Sequence, residues 1–339
     1  MQRYLLPASK QIDDIVSSEV AVPNPKRGQV LVRMHAVSLN YRDLAIAAGR
    51  YRLPADKQFG MVPLSDGAGE VVEVGADVTR VKQGDRVANT FIPGLITGQA
   101  TVDCLGKLRG APNDGVLAEY VVFEQEDLVV LPDSISYTAA ACLPCAGVTA
   151  WNSLYCGPQP LLPGQSVLVL GTGGVAVLAV QLAHAGGTSV IVTSGSDKKL
   201  QQVLGVGASA GINYKSHPEW QDEVRRLTGG RGVDHTVETG GPGTLSRSVA
   251  ATRFGGSVGM IGVLAQGQIN PIEIMHQGMV VRSVLTGSRT MLEDLIRAID
   301  FHGIKIVIDR IFPYADAVAA YRHLEKAAHV GKVVIAMIK

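Results

Sequence analysis

A glycine turn near the middle of the chain is the segment whose residue types and spacing carry the clearest chemistry. Residues 171–176 read Gly-Thr-Gly-Gly-Val-Ala and match the pattern Gly-x-Gly-x-x-Gly/Ala. The turn follows the apolar run 166–170, which is typical of a strand covered on both faces, and it opens a helical pattern. Gly171 permits the tight turn, Gly173 lets the backbone approach a pyrophosphate, and Ala176 allows close contact between helix and strand.

The start of that helix would supply the attraction for phosphate. The free N–H groups and the partial positive charge of a helix N-terminus both favour an anion there. We therefore predict a dinucleotide site on this turn; the alternative is a glycine-rich turn between strand and helix that binds no ligand. The residues predicted to contact the dinucleotide here are Gly171, Thr172, Gly173, Gly174 and Val175.

The end of the next predicted strand discriminates between the two nicotinamide dinucleotides. An acidic side chain at this tip would bind the adenosine 2′-hydroxyl of NAD(H), but the tip is Ser194. Ser196 and Lys198 follow, and hydroxyl and ammonium groups both donate to a 2′-phosphate, so the sequence predicts NADP(H) in preference to NAD(H). Asp197 is near enough to serve NAD(H) instead, and Lys198 and Lys199 are also compatible with a solvated helix start.

The elements that must position these residues are of two kinds. The chain has 339 residues, which suits two domains at about 150 residues each. The first half shows short alternating strands such as 29–37, which predict a β-rich, barrel-like domain. From residue 145 onward, strands alternate with helical stretches, which predicts a doubly wound parallel sheet. The tail is expected to rejoin the first domain, so that the predicted domains are 1–144 with 284–339, and 145–283.

Composition argues against several classes of partner. The formal net charge is +1, so the chain has no electrostatic reason to bind nucleic acid or an anionic membrane. The N-terminus shows no signal-peptide pattern, and the most apolar stretch, 166–185, is interrupted by glycines and polar residues, which argues against a membrane span. Four cysteines do not make a disulfide framework. We therefore expect a cytoplasmic protein that acts on a small-molecule substrate.

Four further segments share a pattern with one family of enzymes; they are residues 65–75, 82–87, 143–151 and 331–334. Together with the late glycine turn, they resemble the medium-chain dehydrogenase/reductase superfamily over nearly the whole chain. The resemblance implies an α/β protein with a GroES-like β-rich catalytic domain and a Rossmann domain built on a doubly wound parallel sheet. It also implies that the Rossmann domain is inserted before the last catalytic segment and that the active site lies in the cleft between the domains.

The resemblance also raises the question of zinc. Zinc alcohol dehydrogenases of this superfamily hold a catalytic metal with a Cys, a His in Gly-His-Glu, and a second Cys or Asp. This chain has Asn40, Ser65 and Cys145 at the matching positions, and a catalytic zinc needs three protein ligands. The loop that binds a structural zinc in those enzymes contains only Cys104 here. The resemblance therefore implies a zinc-free protein of the quinone oxidoreductase-like branch, which keeps Asn and Asp at these positions.

The pair Cys142 and Cys145 forms a Cys-x-x-Cys motif that has its own alternatives. Such a motif is either a redox pair or half of a zinc site, and a second Cys-x-x-Cys, which zinc would need, is absent from the sequence. The motif falls where the family has an apolar turn at a helix start. We therefore interpret the two residues as small buried thiols.

Without zinc, another group must polarise a substrate carbonyl. The amide of Asn40 and the phenols of Tyr41 and Tyr51 are the candidate donors. Tyr51 resembles a tyrosine of the enoyl-reductase relatives, although the proline that usually follows it is displaced to Pro54; a packed tyrosine with its hydroxyl at the surface is the alternative for each phenol. Asp43 matches a family aspartate, and we expect it to orient the catalytic loop and not to transfer a proton.

The resemblance supplies four more candidate cofactor contacts. Thr149 matches the position against the nicotinamide face, and Ile261 follows the strand that runs under the ring. Leu285 ends the backbone segment that matches the carboxamide-binding one. Arg289 either reaches a phosphate or the substrate, or is a surface salt-bridge partner.

The sequence as a whole predicts a zinc-independent, NADPH-dependent oxidoreductase that transfers hydride to a quinone, an enone or a carbonyl compound. One alternative is an NAD(P)-dependent alcohol dehydrogenase that works in the oxidising direction, and another is a dinucleotide-binding protein with little turnover. The strand near 280–285 is expected at the edge of the Rossmann sheet, where relatives pair across a two-fold axis. Because an exposed apolar edge needs a partner or protection, we expect a homodimer.

Overall fold

The computed structural model describes residues 1–51 and 60–337. Its contacts divide the chain into two units, one formed by Met1–Val148 with Thr286–Lys339 and the other by Thr149–Leu285. The sequence prediction divides the chain at 144/145 and 283/284, a few residues before each junction of the two units.

The described elements number fifteen strands and eleven α-helices, with one π-helical turn at Leu143–Gly147. The strands are β1 (Gln2–Leu5), β2 (Val16–Glu19), β3 (Gln29–Leu39), β4 (Asp66–Val74), β5 (Arg86–Asn89), β6 (Tyr120–Glu124), β7 (Leu128–Val130), β8 (Ser166–Leu170), β9 (Ser189–Ser194), β10 (Ala210–Asn213), β11 (Val233–Glu238), β12 (Thr252–Met260), β13 (Val280–Ser283), β14 (Ile308–Pro313) and β15 (Lys332–Ala336). The helices are α1 (Tyr41–Ala47), α2 (Val102–Leu105), α3 (Tyr137–Ala140), α4 (Val148–Tyr155), α5 (Gly174–Ala185), α6 (Asp197–Leu204), α7 (Trp220–Leu227), α8 (Pro242–Ala251), α9 (Pro271–His276), α10 (Arg289–His302) and α11 (Ala317–Glu325).

Strand β3 is the centre of the first unit because it pairs along both of its edges. The sheet runs in the order β14-β15-β3-β4-β5-β7, and β6 also pairs with β3. The register sets Ser38 opposite Asp66 of β4 and Leu39 opposite Val333 of β15. The beginnings of β4 and β15 therefore lie beside the end of β3, where Asn40 leads into α1.

Helix α11 covers this sheet with one apolar face. Its buried residues are spaced three and four apart, which places them on a single side of the helix. They pack in the same core as the inward residues of β3 and β15, such as Val32 and Ile335. The helix residues concerned are Ala317, Ala320, Tyr321 and Leu324.

The second unit is a six-stranded parallel sheet in the order β10-β9-β8-β11-β12-β13. From β8 the chain passes to β9 and β10 on one side, and it then returns to β11, β12 and β13 on the other. The direction of winding reverses between β8 and β11, and ligands of doubly wound sheets bind outside the carboxyl ends of the strands at such a switch point. The predicted α/β fold class, with a β-rich unit and a doubly wound parallel unit, is confirmed.

Several elements of the structure were not predicted from the sequence. Strands β1, β2 and β14 and helices α7 and α8 were not predicted. Helix α8 starts at Pro242 directly after two glycines, a combination that reads as a loop although proline is favourable at the first position of a helix. Within residues 1–51 and 60–337, every helix is too short or too polar to cross a membrane.

Candidate active site

The predicted glycine turn lies at the carboxyl end of β8. Gly171 has a φ of +81°, a conformation that side-chain-bearing residues rarely adopt, and its N–H donates to the Thr193 carbonyl at 2.8 Å. A Cβ on Gly173 would meet nothing within 4 Å, so the backbone is open on that side. Helix α5 begins at Gly174, and among the described residues no side chain caps its N-terminus. The turn therefore presents free N–H groups to an open space, which fits a pyrophosphate.

Two neighbouring loops complete the carboxyl edge of this sheet, and a buried acid that the sequence prediction missed holds them in place. The Glu238 carboxyl accepts hydrogen bonds from the Gly240 N–H at 2.6 Å and the Gly241 N–H at 3.0 Å. Its backbone carbonyl accepts from the N–H groups of Ile261 and Gly262. A side chain at Gly262 would collide with the Thr239 carbonyl, so the loops after β11 and β12 are in close backbone contact. An acid at a strand end followed by two glycines was the available signal.

The end of β9 carries the residues predicted to choose the dinucleotide. Ser194 is buried as the last residue of the strand, Ser196 is half-buried before α6, and Lys198 is exposed on the first turn of α6. Asp197, the residue that would favour NAD(H), accepts a hydrogen bond from the Asn213 amide at 2.9 Å. The Asp197 carboxylate is therefore bonded to the last residue of β10.

Tyr214 and Lys215, which follow β10, also lie near the end of β9, and the sequence prediction missed both. The β9–β10 register sets Asn213 opposite Ser194, so the next two residues of the chain lie close to Gly195. A Cβ on Gly195 would lie 2.7 Å from the Tyr214 hydroxyl and 3.1 Å from Cε of Lys215. Because this proximity depends on strand register, the linear spacing of the residues does not reveal it.

The remaining predicted cofactor residues fall in different surroundings. Thr149 is buried in α4, Ile261 follows β12, and Leu285 is partly exposed two residues after β13. Arg289 opens α10 in the first unit and is only 8% exposed. Its guanidinium donates to the backbone carbonyl and carboxylate of Glu126, and Nε lies 3.3 Å from Glu293. The structure favours the salt-bridge alternative for Arg289, although the arginine itself is buried and its partner Glu126 is exposed.

In the first unit, Asn40 stands at the junction of β3 and α1 and is almost fully buried. Its amide Nδ2 donates to Asp66 Oδ2 at 3.0 Å, and its Oδ1 accepts from Lys332 Nζ at 2.6 Å. One of the two amide hydrogens is thus committed to Asp66. Asn40 stays a candidate donor through the second hydrogen alone.

Asp43 lies in the surroundings expected of an orienting residue. Its Oδ2 accepts the backbone N–H of Asn40 at 2.8 Å, which fixes the start of α1, and Oδ1 lies 3.5 Å from the Arg42 guanidinium. Burial raises the pKa of this carboxyl to about 6. The charge of Asp66 raises the pKa further, whereas Arg42, the Asn40 N–H and Lys332 oppose the increase.

The two candidate tyrosines are both accessible. Tyr41 is the first residue of α1 and is 47% exposed, and Tyr51 is 38% exposed. The Arg42 guanidinium carbon lies 5.6 Å from the centre of the Tyr51 ring, within cation–π range. Pro54, the displaced proline, lies outside the described residues. The geometry leaves both phenols available as proton donors.

The three positions that match zinc ligands carry a donor set that does not fit a catalytic zinc. The Asn40 amide oxygen already accepts from an ammonium, and the Ser65 hydroxyl donates to Asp66 Oδ1 at 2.7 Å. Burial raises the pKa of the Cys145 thiol far above its usual value, whereas zinc binds the thiolate. Across 1–51 and 60–337, no group of three His, Cys, Asp or Glu side chains is arranged to hold a metal.

The neighbouring Cys142 is also a buried thiol. Its Sγ donates to the Thr138 carbonyl at 3.2 Å, and burial raises its pKa to about 12. Cys142 and Cys145 do not form a disulfide bond. The high pKa values of both thiols suit packed side chains better than a reactive redox pair, which needs a thiolate.

Comparisons with known proteins agree with this architecture. Two family models match, the alcohol dehydrogenase GroES-like domain over residues 26–133 and the zinc-binding dehydrogenase over 174–301. The chain is 39% identical over 333 residues to the zinc-type alcohol dehydrogenase-like protein C1773.06c of Schizosaccharomyces pombe, covering 95% of each chain. It is 31% identical over 325 residues to an NADPH-dependent alkenal/one oxidoreductase of Arabidopsis thaliana, covering 94% of this chain and 75% of the relative. The crystal structure of a putative alcohol dehydrogenase from Sinorhizobium meliloti superposes with a TM-score of 0.90 at 36% identity, covering 99% and 98% of the two chains.

These similarities extend over both units of the chain. The two family models follow the same order as the β-rich unit and the parallel-sheet unit. The chain therefore belongs to the medium-chain dehydrogenase/reductase superfamily, and it is an NAD(P)H-dependent oxidoreductase.

Proposed function

We propose that this oxidoreductase works without zinc, uses NADPH, and transfers hydride to an enone, a quinone or a carbonyl compound. The observation that carries the proposal is the chemistry at the three matched metal positions. An amide bound to an ammonium, a hydroxyl bound to a carboxylate and a protonated thiol occupy them. Such a set supplies no Lewis acid to activate an alcohol or an isolated ketone.

The preference for NADPH is supported by the donors at the end of β9. Ser194, Ser196 and Lys198 lie on one side, and Tyr214 and Lys215 reach over Gly195 from the other. Hydroxyl and ammonium groups suit a 2′-phosphate because they donate hydrogen bonds and the ammonium groups offset its charge. The neighbouring acid Asp197 accepts a hydrogen bond from Asn213.

The bound dinucleotide would supply the hydride. The protein's own residues must bind and orient the substrate and donate a proton to the product. Hydride addition to an enone or quinone leaves a negative charge that is spread over a conjugated system and ends on oxygen. Less electrophilic assistance is needed there than for an isolated ketone, so neutral donors suffice. The candidate donors are the second amide hydrogen of Asn40 and the phenols of Tyr41 and Tyr51, while Asp43 holds the backbone on which Asn40 and Tyr41 lie.

An alcohol dehydrogenase is the alternative, because two of the similar proteins carry that name. A panel of assays separates the candidates: oxidation of NADPH and of NADH with a quinone, an enone and a simple ketone, and reduction of NADP and NAD with alcohols. We expect turnover with NADPH and a conjugated acceptor. Faster reaction of an alcohol with NAD would favour the dehydrogenase, and dinucleotide binding without turnover on any compound would favour a binding protein.

We also propose that the chain forms a homodimer through the second unit. Strand β13 is at the edge of the parallel sheet, and α9 next to it exposes Ile272 and Met275, which are 51% and 74% accessible. An open edge beside apolar side chains favours association with a second copy. Light scattering should give twice the 35.7 kDa mass of the chain, and Met275→Glu should shift the equilibrium toward the monomer. A monomer at working concentration would refute the proposal.

A further inference from the structure

A group of polar side chains is buried together where β3, β4 and β15 meet in the first unit. Each member is at most 9% exposed, although polar groups are normally excluded from such a position unless they are bonded. The reaction proposed above assigns no chemical step to most of them. The group consists of Asn40, Asp43, Ser65, Asp66 and Lys332.

Asp66 is the centre of this group. Its carboxylate accepts three hydrogen bonds, from Asn40 Nδ2 at 3.0 Å, from Ser65 Oγ at 2.7 Å and from the Cys145 backbone N–H at 3.0 Å. The three donors come from three segments: the end of β3, the residue before β4, and the π-helical turn. These are the same three positions that match metal ligands. One carboxylate therefore joins the segments that a metal ion would otherwise join.

Lys332 supplies the opposite charge. Its ammonium donates to the Leu39 carbonyl at 2.7 Å and to Asn40 Oδ1 at 2.6 Å. An ammonium has only donors and a carboxylate only acceptors, so the Asn40 amide is held in one orientation between Lys332 and Asp66. Removal of one partner of a buried charge pair is strongly destabilising, because the other charge is then left buried and uncompensated.

We propose that Asp66 and Lys332 form a charge-coupled tether that takes over the cross-linking role of a metal ion and fixes the segment carrying Asn40 and Tyr41. Asp66 is then a positioning residue: it acts on the reaction through the orientation of Asn40 and touches no reacting atom. The catalytic part of this inference rests on the proposed zinc-independent function. The structural part, the coupling of Asp66 to Lys332, does not.

The tether is tested first by stability, which needs no substrate. We would measure the Tm of Asp66→Asn, Lys332→Met and the double variant, with the exposed changes Asp14→Asn and Lys326→Met as matched controls. Lys332→Met leaves a buried carboxylate unpaired and should lower Tm by roughly 10 °C. The double variant should lose clearly less than the sum of the single losses, and the controls should change little. Additive losses would overturn the coupling.

The positioning role is tested by separating turnover from dinucleotide binding. Asp66→Asn places an NH₂ group where a donor already points, so Asn40 should turn and kcat should fall about tenfold or more at a temperature well below Tm. The NADPH Kd should stay within about twofold, because every partner of Asp66 belongs to the first unit. An unchanged kcat in a folded variant would overturn the role.

Two milder variants keep the proposal testable if Asp66→Asn does not fold. Ser65→Ala removes one of the three donors and should lower kcat by a few fold, which corresponds to the loss of one hydrogen bond. Lys332→Arg keeps the positive charge and should retain more of the Tm than Lys332→Met. Equal effects of Lys332→Arg and Lys332→Met would count against the charge. If no substrate is found, the proposed function fails while the Tm cycle still decides the tether.

Discussion

Each of the two units carries a candidate site, and the two sites are built from different chemical groups. In the second unit the turn at Gly171–Gly173 offers backbone N–H groups and an absence of side chains. In the first unit the segment at Asn40 is held largely by the side chains of Asp43, Asp66 and Lys332. A backbone site is encoded by a short run of residues, whereas a side-chain network is encoded by residues from distant parts of the chain. The same chain therefore reveals one site in its sequence and conceals much of the other.

The largest effect should follow from filling the open space in the backbone site. Gly173 has a φ of −79° and space for a Cβ, so Gly173→Val should fold normally and yet block the pyrophosphate. We expect dinucleotide affinity to fall at least about 100-fold, equivalent to about 2.8 kcal/mol, with little change in Tm. Gly106→Ala is the control, because that Cβ also has open space and an ordinary φ. Unchanged affinity in the Val variant would mean that the dinucleotide binds elsewhere.

A smaller effect should follow from a charge at the strand tip. Ser194→Asp places the acid that recognises a ribose 2′-hydroxyl where NADPH carries a phosphate, and the repulsion is on the order of 1–4 kcal/mol. The Kd for NADPH should rise about tenfold or more, while the Kd for NADH should fall or stay constant. Ser189→Asp, at the exposed start of the same strand, is the matched control. If the unmodified protein binds NADH more tightly than NADPH, the proposed preference for NADPH is wrong.

The effect on dinucleotide binding should be smallest for the side-chain network, which is visible instead as a pH dependence of stability. Burial raises the pKa of Asp43 from 3.8 to about 6, so the folded chain holds this proton more tightly than the unfolded chain. Between these two values the folded state binds more protons, and the free energy of unfolding should therefore fall as pH rises from about 4 to 6. The contribution of Asp43 is on the order of 2–3 kcal/mol.

Removal of the carboxyl group should remove that part of the pH dependence. Denaturant unfolding at a series of pH values should give a flatter profile for Asp43→Asn than for the unmodified chain. Asp103→Asn, at an exposed position on α2, should keep the original slope. Parallel profiles for the Asp43 variant and the unmodified chain would show that Asp43 ionises normally in the fold.

In the second unit the sequence predicted β8 best, because this strand is a nearly continuous apolar run that is buried along most of its length. Strand β8 was predicted with its observed bounds, and the glycine turn was predicted at its observed place. Strand β2 is short and polar and was missed. Helix α7 was missed although its apolar residues Trp220, Val224 and Leu227 recur at helical spacing. Helix α8 was missed because its Gly-Gly-Pro start resembles a loop.

In the candidate site, the contacts that could not be predicted are those that depend on the register between paired strands. Tyr214 reaches Gly195 only because β10 pairs with β9, and Lys332 reaches Asn40 only because β15 pairs with β3. Neither neighbour can be inferred from linear spacing, since a shift by one residue would turn each side chain to the opposite face. Arg289 shows the reverse case, because the sequence gave no sign that this arginine is buried and bonded to Glu126, which is 163 residues away in the chain.

We propose above that this oxidoreductase transfers hydride without zinc, and one measurement tests this most directly. The purified chain would be treated with a strong chelator, its zinc content determined by elemental analysis, and kcat measured with NADPH and a conjugated acceptor before and after treatment. We expect an unchanged kcat at far less than one zinc per chain, with no gain when Zn²⁺ is added back. Loss of turnover on chelation, restored by stoichiometric Zn²⁺, would contradict the account.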